Sequence, residues 1–549
     1  MRLTALMENK SAIGKLGGSQ VSAGASQPAP VEGWDAVSPI AAMSPKRAVR
    51  LDNWFPQPDW IEVRKGHIIH APCSADPVET LATYNGVSVR TMFAASGGAI
   101  YDVTSNGSGT LIQSGFANDR WQYINFATTG GNFLYMVNGA DDPHYYDGHP
   151  GHFHAAVITG ITASDVIHVN AFKNRIWFVL IDSSDAAYLP VDSIQGAASL
   201  FPLGGLFTKG GFLMAMGTWS IDAGDGPDDY AVFMSSMGQC AIYRGTDPSA
   251  AATWELVGVF DMGAPIGRRC LTRVGADIAV ISVDGVVPLS RAMIFERAAV
   301  VKVSLTERIQ RVMNQSARLY RGNFGWQLIS YPRGTRAILN VPIEENNDQV
   351  QYVMNTLSGA WCRFIGMKAN CWELLDEEIY FGGNDGVVYK ADTSGSDAGV
   401  TISADMMTAY NYYNLRGNQK RWMMCRPQLT TDGQVNPGLA LNVDFRDDAP
   451  LSIPTTQVIN ASLWDQALWD QGTWSGNITT RASWTSVDGI GYCASIRLAV
   501  DLLPAITPGT PALWGISFWG DSTWELVITD EVVLQVNAFD IVYEKGAIV

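Results

Sequence analysis

Residues 228–276 read DDYAVFMSSMGQCAIYRGTDPSAAATWELVGVFDMGAPIGRRCLTRVGA, and their pattern decides the fold class. Two strand-like runs, Tyr230–Met234 and Cys240–Tyr243, are joined through a turn at Met237-Gly238. Gly245-Thr246-Asp247-Pro248 then turns the chain into the apolar run Trp254–Phe260. Short runs bounded by Gly, Pro and Asp predict a meander of antiparallel strands. The unit returns at residues 277–287 around Asp284-Gly285, and at 378–389 around Asp385-Gly386. An Asp-Gly pair between two apolar runs is a strong local signal for a hairpin.

Further copies lie upstream. Met92–Ala95 and Ile100–Val103 flank Gly97-Gly98, Phe133–Val137 and His144–Tyr146 flank Asn138-Gly139, and Ile176–Ile181 precedes Ala187–Leu189. Tyr101, Tyr145, Tyr188 and Tyr243 recur at intervals of 44, 43 and 55 residues. Such a period, with about four strands per unit, is that of a β-propeller, whose units bury their faces only against neighbours. The expected architecture is all-β. A propeller of five to seven blades over residues 43–400 follows a flexible or extended N-terminal arm over residues 1–42. A separate, tryptophan-rich, acidic β domain spans residues 401–549.

The arm is expected because Gly17-Gly18-Ser19, residues 22–26 (SAGAS) and Pro28-Ala29-Pro30 show no apolar period. A segment of this kind cannot offset its own ordering entropy, so it is expected to order only against a neighbouring subunit. One helix is predicted over Leu305–Met313, with Ser304 as N-cap and Glu307 completing a capping box. At the far end Trp464, Trp469, Trp474, Trp484, Trp514, Trp519 and Trp524 crowd together among Asp and Gln. That texture suits a protein–protein or sugar contact.

At 549 residues the chain is too long for one core. Its formal charge of −16 argues against a protein that grips nucleic-acid phosphates. Residues 441–549 hold thirteen acidic and four basic side chains, so the acidity concentrates near the C-terminus. No apolar run is long enough to span a membrane, and Met1–Lys15 lacks the hydrophobic segment of a secretory signal. Synthesis in a cytoplasm is expected. The seven cysteines, at 73, 240, 270, 362, 371, 425 and 493, show no ligand spacing and read as reduced and structural.

Several constellations invite chemistry. His144, His149, His152 and His154 stand near Asp141, Asp142 and Asp147, but Pro and Gly residues mark the stretch as a blade-connecting loop without metal-ligand spacing. Ser220-Ile221-Asp222-Ala223-Gly224 opens like the Asp box of sialidase propellers, yet Pro227 stands where its closing aromatic belongs. The pairs Glu344-Glu345 and Glu377-Glu378 are poor candidates for one hydrolytic site, because adjacent strand residues face opposite ways. Arg268, Arg269 and Arg273 read as a solvated edge or a subunit salt bridge in preference to a phosphate contact. Phosphate-loop, nucleophile-elbow and zinc-protease signatures are absent from the sequence. No catalytic, cofactor-binding or metal-binding residue is therefore expected, and no cofactor.

One family resemblance rests on motif order. Ile242-Tyr243, Gly245-Thr246-Asp247-Pro248-Ser249, Gly258-Val259-Phe260 and Gly263-Ala264-Pro265-Ile266-Gly267 follow one another, with residues 284–290 (DGVVPLS) downstream. Upstream stand Ala48 and Asn53-Trp54-Phe55-Pro56. In this order they resemble the tail nozzle, or tail-hub, proteins of short-tailed bacteriophages. The resemblance implies a virion structural protein, not an enzyme. It also implies a propeller with appended platform and tip domains, and a homohexameric ring below the tail adaptor. Double-stranded DNA would pass through the bore during ejection, and fibres or spikes would dock outside. The alternative expectation is a carbohydrate-binding or glycan-degrading propeller that uses the C-terminal tryptophans as stacking platforms.

Overall fold

The computed structural model describes residues 22–222, 227–431, 435–453, 455–457, 479–503 and 533–548. The repeating hairpins assemble into a β-propeller. Six blades have four strands each, and the blade that contains the quoted stretch is Leu213–Asp222, Pro227–Ser235, Gln239–Gly245 and Trp254–Asp261. Three others precede it, beginning at Val78, Gln122 and Val166. A three-stranded sheet, Leu271–Val274, Asp277–Ser282 and Gly285–Pro288, follows it. The last two blades begin at Gln327 and Ala369. The first strands of successive sheets lie side by side around an axis, and Ala369–Leu375 returns beside Val78–Asn85 to close the ring.

Hydrophobic burial explains the ring. Separate apolar clusters fill the gaps between neighbouring blades. Phe93, Trp121, Leu134 and Tyr146 sit between the first and second blades, and Tyr135, Val169, Ile176 and Phe178 between the second and third. Trp177, Phe233, Tyr243 and Trp254 fill the next gap. No single blade could bury both of its faces alone, so each depends on the next. Tyr101, Tyr145, Tyr188 and Tyr243 all fall on the third strand of their blades, which is why their spacing reported the repeat.

The final blade is completed from the other end of the chain. Gly66–Pro72 pairs antiparallel with Val387–Ser394 as its outermost strand. Gly66 is required there, since a Cβ would lie 2.0 Å from the Ser396 carbonyl oxygen. The adjoining Arg64 is buried and grips Asp397 through two hydrogen bonds of 2.8 and 2.5 Å. It also donates to Asn53 Oδ1 at 2.8 Å and to the Ile365 carbonyl at 2.9 Å. His67 Nδ1 stands 3.1 Å from the same Asp397.

Below the propeller lies a platform that differs from the expected C-terminal domain in its boundaries. Its two sheets combine Ala48–Asp52, Trp54–Pro56 and Ile61–Val63 with Ile402–Thr408, Asn418–Thr431, Ala494–Leu503 and Leu534–Ile548. One of these sheets continues through Ala48–Asp52 into the blade Gln327–Phe364. A boundary at residue 43 or 400 would therefore cut through hydrogen-bonded strands. One core runs across the junction, from Trp326, Trp361 and Trp372 to Trp54, Phe55, Leu534 and Phe539.

Two further expectations are corrected. Ser22–Pro28, placed in an arm that awaits a neighbour, pairs with Ala538–Glu544 of its own chain. Its buried Gln27 donates to the Ala409 carbonyl and accepts from the Tyr413 hydroxyl, so internal hydrogen bonds order it. Residues 1–21 lie outside the described residues. The helix predicted over 305–313 instead forms as a 3-10 turn at Glu307–Ile309 followed by an α-helix over Gln310–Tyr320. The capping box fails because Ser304 bonds the preceding turn and strand contacts hold the two residues after it. Leu305 N–H bonds the Val286 carbonyl, Thr306 Oγ1 accepts from Val286 N–H, and Ser304 Oγ donates to the Val301 carbonyl. Ile309, Met313 and Ala317 still carry the buried face. All seven cysteines are free, and all except the half-buried Cys73 are buried.

The Arg64–Asp397 pair yields a stability prediction. Burial works to raise the Asp397 carboxyl, but the Arg64 hydrogen bonds and charge hold it at about 2, against an ordinary 3.8. Its stabilisation is present above pH 4 and is lost as pH falls through about 2. Arg64→Met strands that carboxylate and is expected to cost about 3–5 kcal/mol in urea denaturation. Combining it with Asp397→Asn is expected to recover part of the loss.

Candidate functional site

Each blade contributes its innermost strand to the propeller axis, and these strands carry polar residues within otherwise apolar runs. Thr83, Tyr123, His168, Thr218, Arg273, Gln327 and Glu373 come from seven successive inner strands. Between them lies an axial cavity of about 290 Å³, lined by Gln122, Tyr123, His168, Thr218, Arg269, Arg273 and Gln327 among others.

A hydrogen-bonded pair links two of these inner strands. The Tyr123 hydroxyl donates to the Glu373 carboxylate, joining the second blade to the last one over the intervening first blade. Thr83 Oγ1 donates to the Leu374 carbonyl at 3.1 Å and ties the same seam. Burial pushes the Glu373 carboxyl up to about 7, against hydrogen bonds from Tyr123, Leu374 N–H and Thr83 that work to lower it. Burial likewise drives His168 down to about 4, helped by the nearby Arg268 charge, so its imidazole is neutral at pH 7. Its Nδ1 has no hydrogen-bond partner, and neither has Nε2 of the buried Gln122.

The arginines read as a solvated edge are built into this centre. Arg269 Nη2 donates to Thr80 Oγ1 at 2.8 Å, to the Trp121 carbonyl at 3.1 Å and to the Glu79 carbonyl at 3.2 Å. Its guanidinium lies 5.1 Å from the Phe324 ring centroid, and Arg120 approaches the same ring at 4.6 Å. Arg268 donates to the Asn138 carbonyl at 3.3 Å. Arg269 thus satisfies carbonyls at the starts of two inner strands, and Arg268 one just after the second strand of a blade. Arg273 is exposed and lies at the cavity wall.

The histidines do not form a blade-connecting loop. His144–Tyr146 and His154–Ala155 are paired strands of one blade, and the intervening turn belongs to their hairpin. His144 Nδ1 is 2.7 Å from the Asp142 carbonyl, on the far side of the strand from Asp147. His149 and His154 approach Asp147 at 3.2 and 3.7 Å, and the His152 and His154 rings are 4.4 Å apart. No cluster of three or more metal-ligating side chains with suitable geometry occurs among the described residues.

The acidic pairs are also separated. Glu345 accepts from Arg120, whereas Glu344 bonds Asn347. Glu378 is held by Arg333 and Lys390. Glu377, at φ +64°, lines a second surface pocket of about 500 Å³ with Asn85, Arg90, Arg333 and Asp376. Ser220 Oγ donates to Asp229 at 2.6 Å, bracing a hairpin whose tip, residues 223–226, lies outside the described residues, and with it Ala223 and Gly224 of the Asp-box-like stretch. Of the clustered tryptophans only Trp484 is described. It is 42% exposed and carries Arg426 at 4.6 Å from its ring centroid.

No protein-family profile matches this chain, and no curated protein sequence does. Among solved structures the chain is similar to BBS1N in complex with ARL6DN, at 11% identity and a TM-score of 0.37, covering 60% of this chain and 97% of that one. It is similar to the same degree to the extracellular domain of a protein described as a hybrid two-component system of B. thetaiotaomicron. That match has 11% identity and a TM-score of 0.37, over 79% of this chain and 56% of that one.

The axial pair predicts a pH signature. A carboxyl raised from 4.5 to about 7 in the folded state keeps a proton that the unfolded chain releases. Stability is therefore expected to fall between pH 4.5 and 7, by on the order of 2–3 kcal/mol from this group. Glu373→Gln keeps an acceptor for Tyr123. Relative to the parent, its urea midpoint is expected to rise at pH 8 and to stay unchanged at pH 4.

Proposed function

We propose that this chain is a structural protein of a short phage tail, a ring-forming nozzle subunit that conducts DNA between subunits and anchors fibres or spikes. The observation that carries the proposal is the two-part architecture. A propeller over residues 66–394 is inserted into a platform built from both ends of the chain. That organisation accords with the motif resemblance across residues 43–290, which implies a propeller with an appended platform.

Two features of the platform support assembly. Ser22–Pro28 pairs on one side only among the described residues, with small side chains and an exposed face at Ser22, Gly24 and Ser26. An open edge of this kind can accept a strand from another copy. The two tryptophan-bearing stretches also begin and end together. Thr455–Gln457 runs parallel to Asp501–Leu503, so the chain leaves residues 457 and 503 side by side. It re-enters at Thr479 and Leu534, which flank Thr431 on opposite sides.

The propeller axis itself is no conduit for DNA, since its cavity of about 290 Å³ is far too small for a duplex. Under this proposal the bore lies among subunits. With −16 formal charges per copy, its wall would repel the duplex and add few phosphate contacts to slow passage.

Mass measurement and end-on imaging of the purified protein are expected to show a six-fold ring with a bore wider than a duplex. Titration with duplex DNA at low salt is expected to give no appreciable affinity. A stable monomer, or tight salt-dependent binding, overturns the proposal, and glycan-dependent stabilisation of a monomer would favour carbohydrate recognition. Trp464→Ala with Trp469→Ala is expected to leave the propeller folded and to impair assembly or infectivity. Full infectivity of a folded double variant would refute a docking role for that stretch.

A further inference from the structure

One platform sheet is open on both sides among the described residues, and its two edges match. From one edge to the other it runs Ser22–Pro28, Leu534–Ile548, Asn418–Thr431, then Thr479–Ala482 with Thr485–Gly491, each antiparallel to the one before. The Ala29 N–H bonds the Asn537 carbonyl, so alternation turns the backbone of Gln27, Ala25 and Ala23 toward Leu534–Ile548 as well. The N–H and C=O groups of Ser22, Gly24 and Ser26 therefore point outward, where no described residue bonds them. Edge strands are ordinarily blunted by lysine, proline or a bulge. Ser22–Gln27 has no lysine or proline, and its register is unbroken. A Cβ on Gly24 would meet nothing within 4 Å.

The opposite edge has the bulk that this one lacks. Residues 480–486 are exposed one after another, where a strand packed on a core would alternate. Trp484 is 42% exposed and Ile490 64%. Ser22–Pro28 and Thr485–Gly491 are both seven residues long, about 23 Å of edge. Ser22–Pro28 carries no charged side chain, and residues 479–491 carry one of each sign, Arg481 and Asp488. Copies of a chain with −16 formal charges can therefore meet here without net like-charge repulsion. The two edges run in opposite directions, because the strands between them alternate. Rotation about an axis parallel to the strands keeps those directions, so one copy's edge meets its neighbour's antiparallel. Head-to-tail contacts of this type close rings.

We infer that the platform sheets of neighbouring copies join edge to edge, Thr485–Gly491 of one pairing antiparallel with Ser22–Pro28 of the next, in one continuous β-belt. This contact presupposes the ring proposed above. Within a copy, Ser22, Glu544, Arg421 and Ile490 form one row across the sheet. Unshifted pairing continues the row and seats Ile490 beside the neighbour's Ser22. Arg481, exposed and without an ion pair among the described residues, then comes to the level of Ala29, three residues before the partly exposed Glu32.

Mass measurement of the full chain over a dilution series tests the belt. Gly24→Pro removes an outward N–H and leaves the bonds to Leu534–Ile548 in place, and Ile490→Lys charges the other edge. Each is expected to keep the parent's β-sheet spectrum and to raise the concentration at which rings assemble at least tenfold. Paired strand residues stand about 5.5 Å apart at Cα, within disulfide reach. Ser22→Cys with Ile490→Cys is therefore expected to give a ladder of covalent oligomers on mild oxidation, absent from either single variant. Rings formed by both folded edge variants at the parent's concentration overturn the belt and leave the ring standing. So do rings of the double cysteine variant that give no ladder. A parent that is monomeric at every concentration overturns belt and ring together.

Discussion

Closure of the last blade by Gly66–Pro72 is the constraint on which the rest of this structure depends. The strand arrives more than three hundred residues before the partner it completes, so folding must bring distant parts of the chain together. Loop-closure entropy grows only slowly with length, and a seven-residue strand that pairs along the blade and buries His67, His70 and Ala71 can offset it. Arg64 fixes the register where that strand begins. It holds Asp397 beyond the last blade, the Ile365 carbonyl after the preceding blade and the Asn53 amide within the platform. Three remote segments therefore meet at one guanidinium, and an unpaired charge there would be left in a nearly dry site.

The same closure makes the platform. Once residues 64–72 are held against residues 387–397, the strands before and after the propeller emerge side by side. Asn53, at φ +59°, turns the chain from one platform sheet to the other, and its amide donates to the Ser403 carbonyl. Arg363 then forks onto Asp52 with bonds of 2.8 and 2.7 Å, tying the blade sheet to the platform sheet. Because the two bodies share a sheet and a core, a force applied to the platform passes directly into the propeller.

Much of this was legible in local pattern. The hairpins at 92–103, 133–146, 230–243, 277–287 and 378–389 all form, and the recurrent tyrosines mark equivalent third strands. These features depend on nearest neighbours along the chain, where turn residues and alternation act. The helix was displaced because Thr306 and Leu305 bond a strand some twenty residues upstream. Local capping preference could not anticipate that competitor. The axial residues escaped notice for a related reason. One polar residue per inner strand is unremarkable within a single unit, and only aligning the first strands of successive units would have set Tyr123, His168, Arg273 and Glu373 in a row.

By itself the sequence determined the all-β class, the repeat, the free cysteines and the acidity, because turn chemistry, period and composition are written locally. Tertiary structure alone decided which strands closed the ring and where the domain boundary ran. It also converted Arg268 and Arg269 from presumed surface charges into supports of the axis. Those outcomes rest on burial and hydrogen bonding between segments hundreds of residues apart. A residue's type states what it can bond, and only the fold states what stands within 3 Å of it.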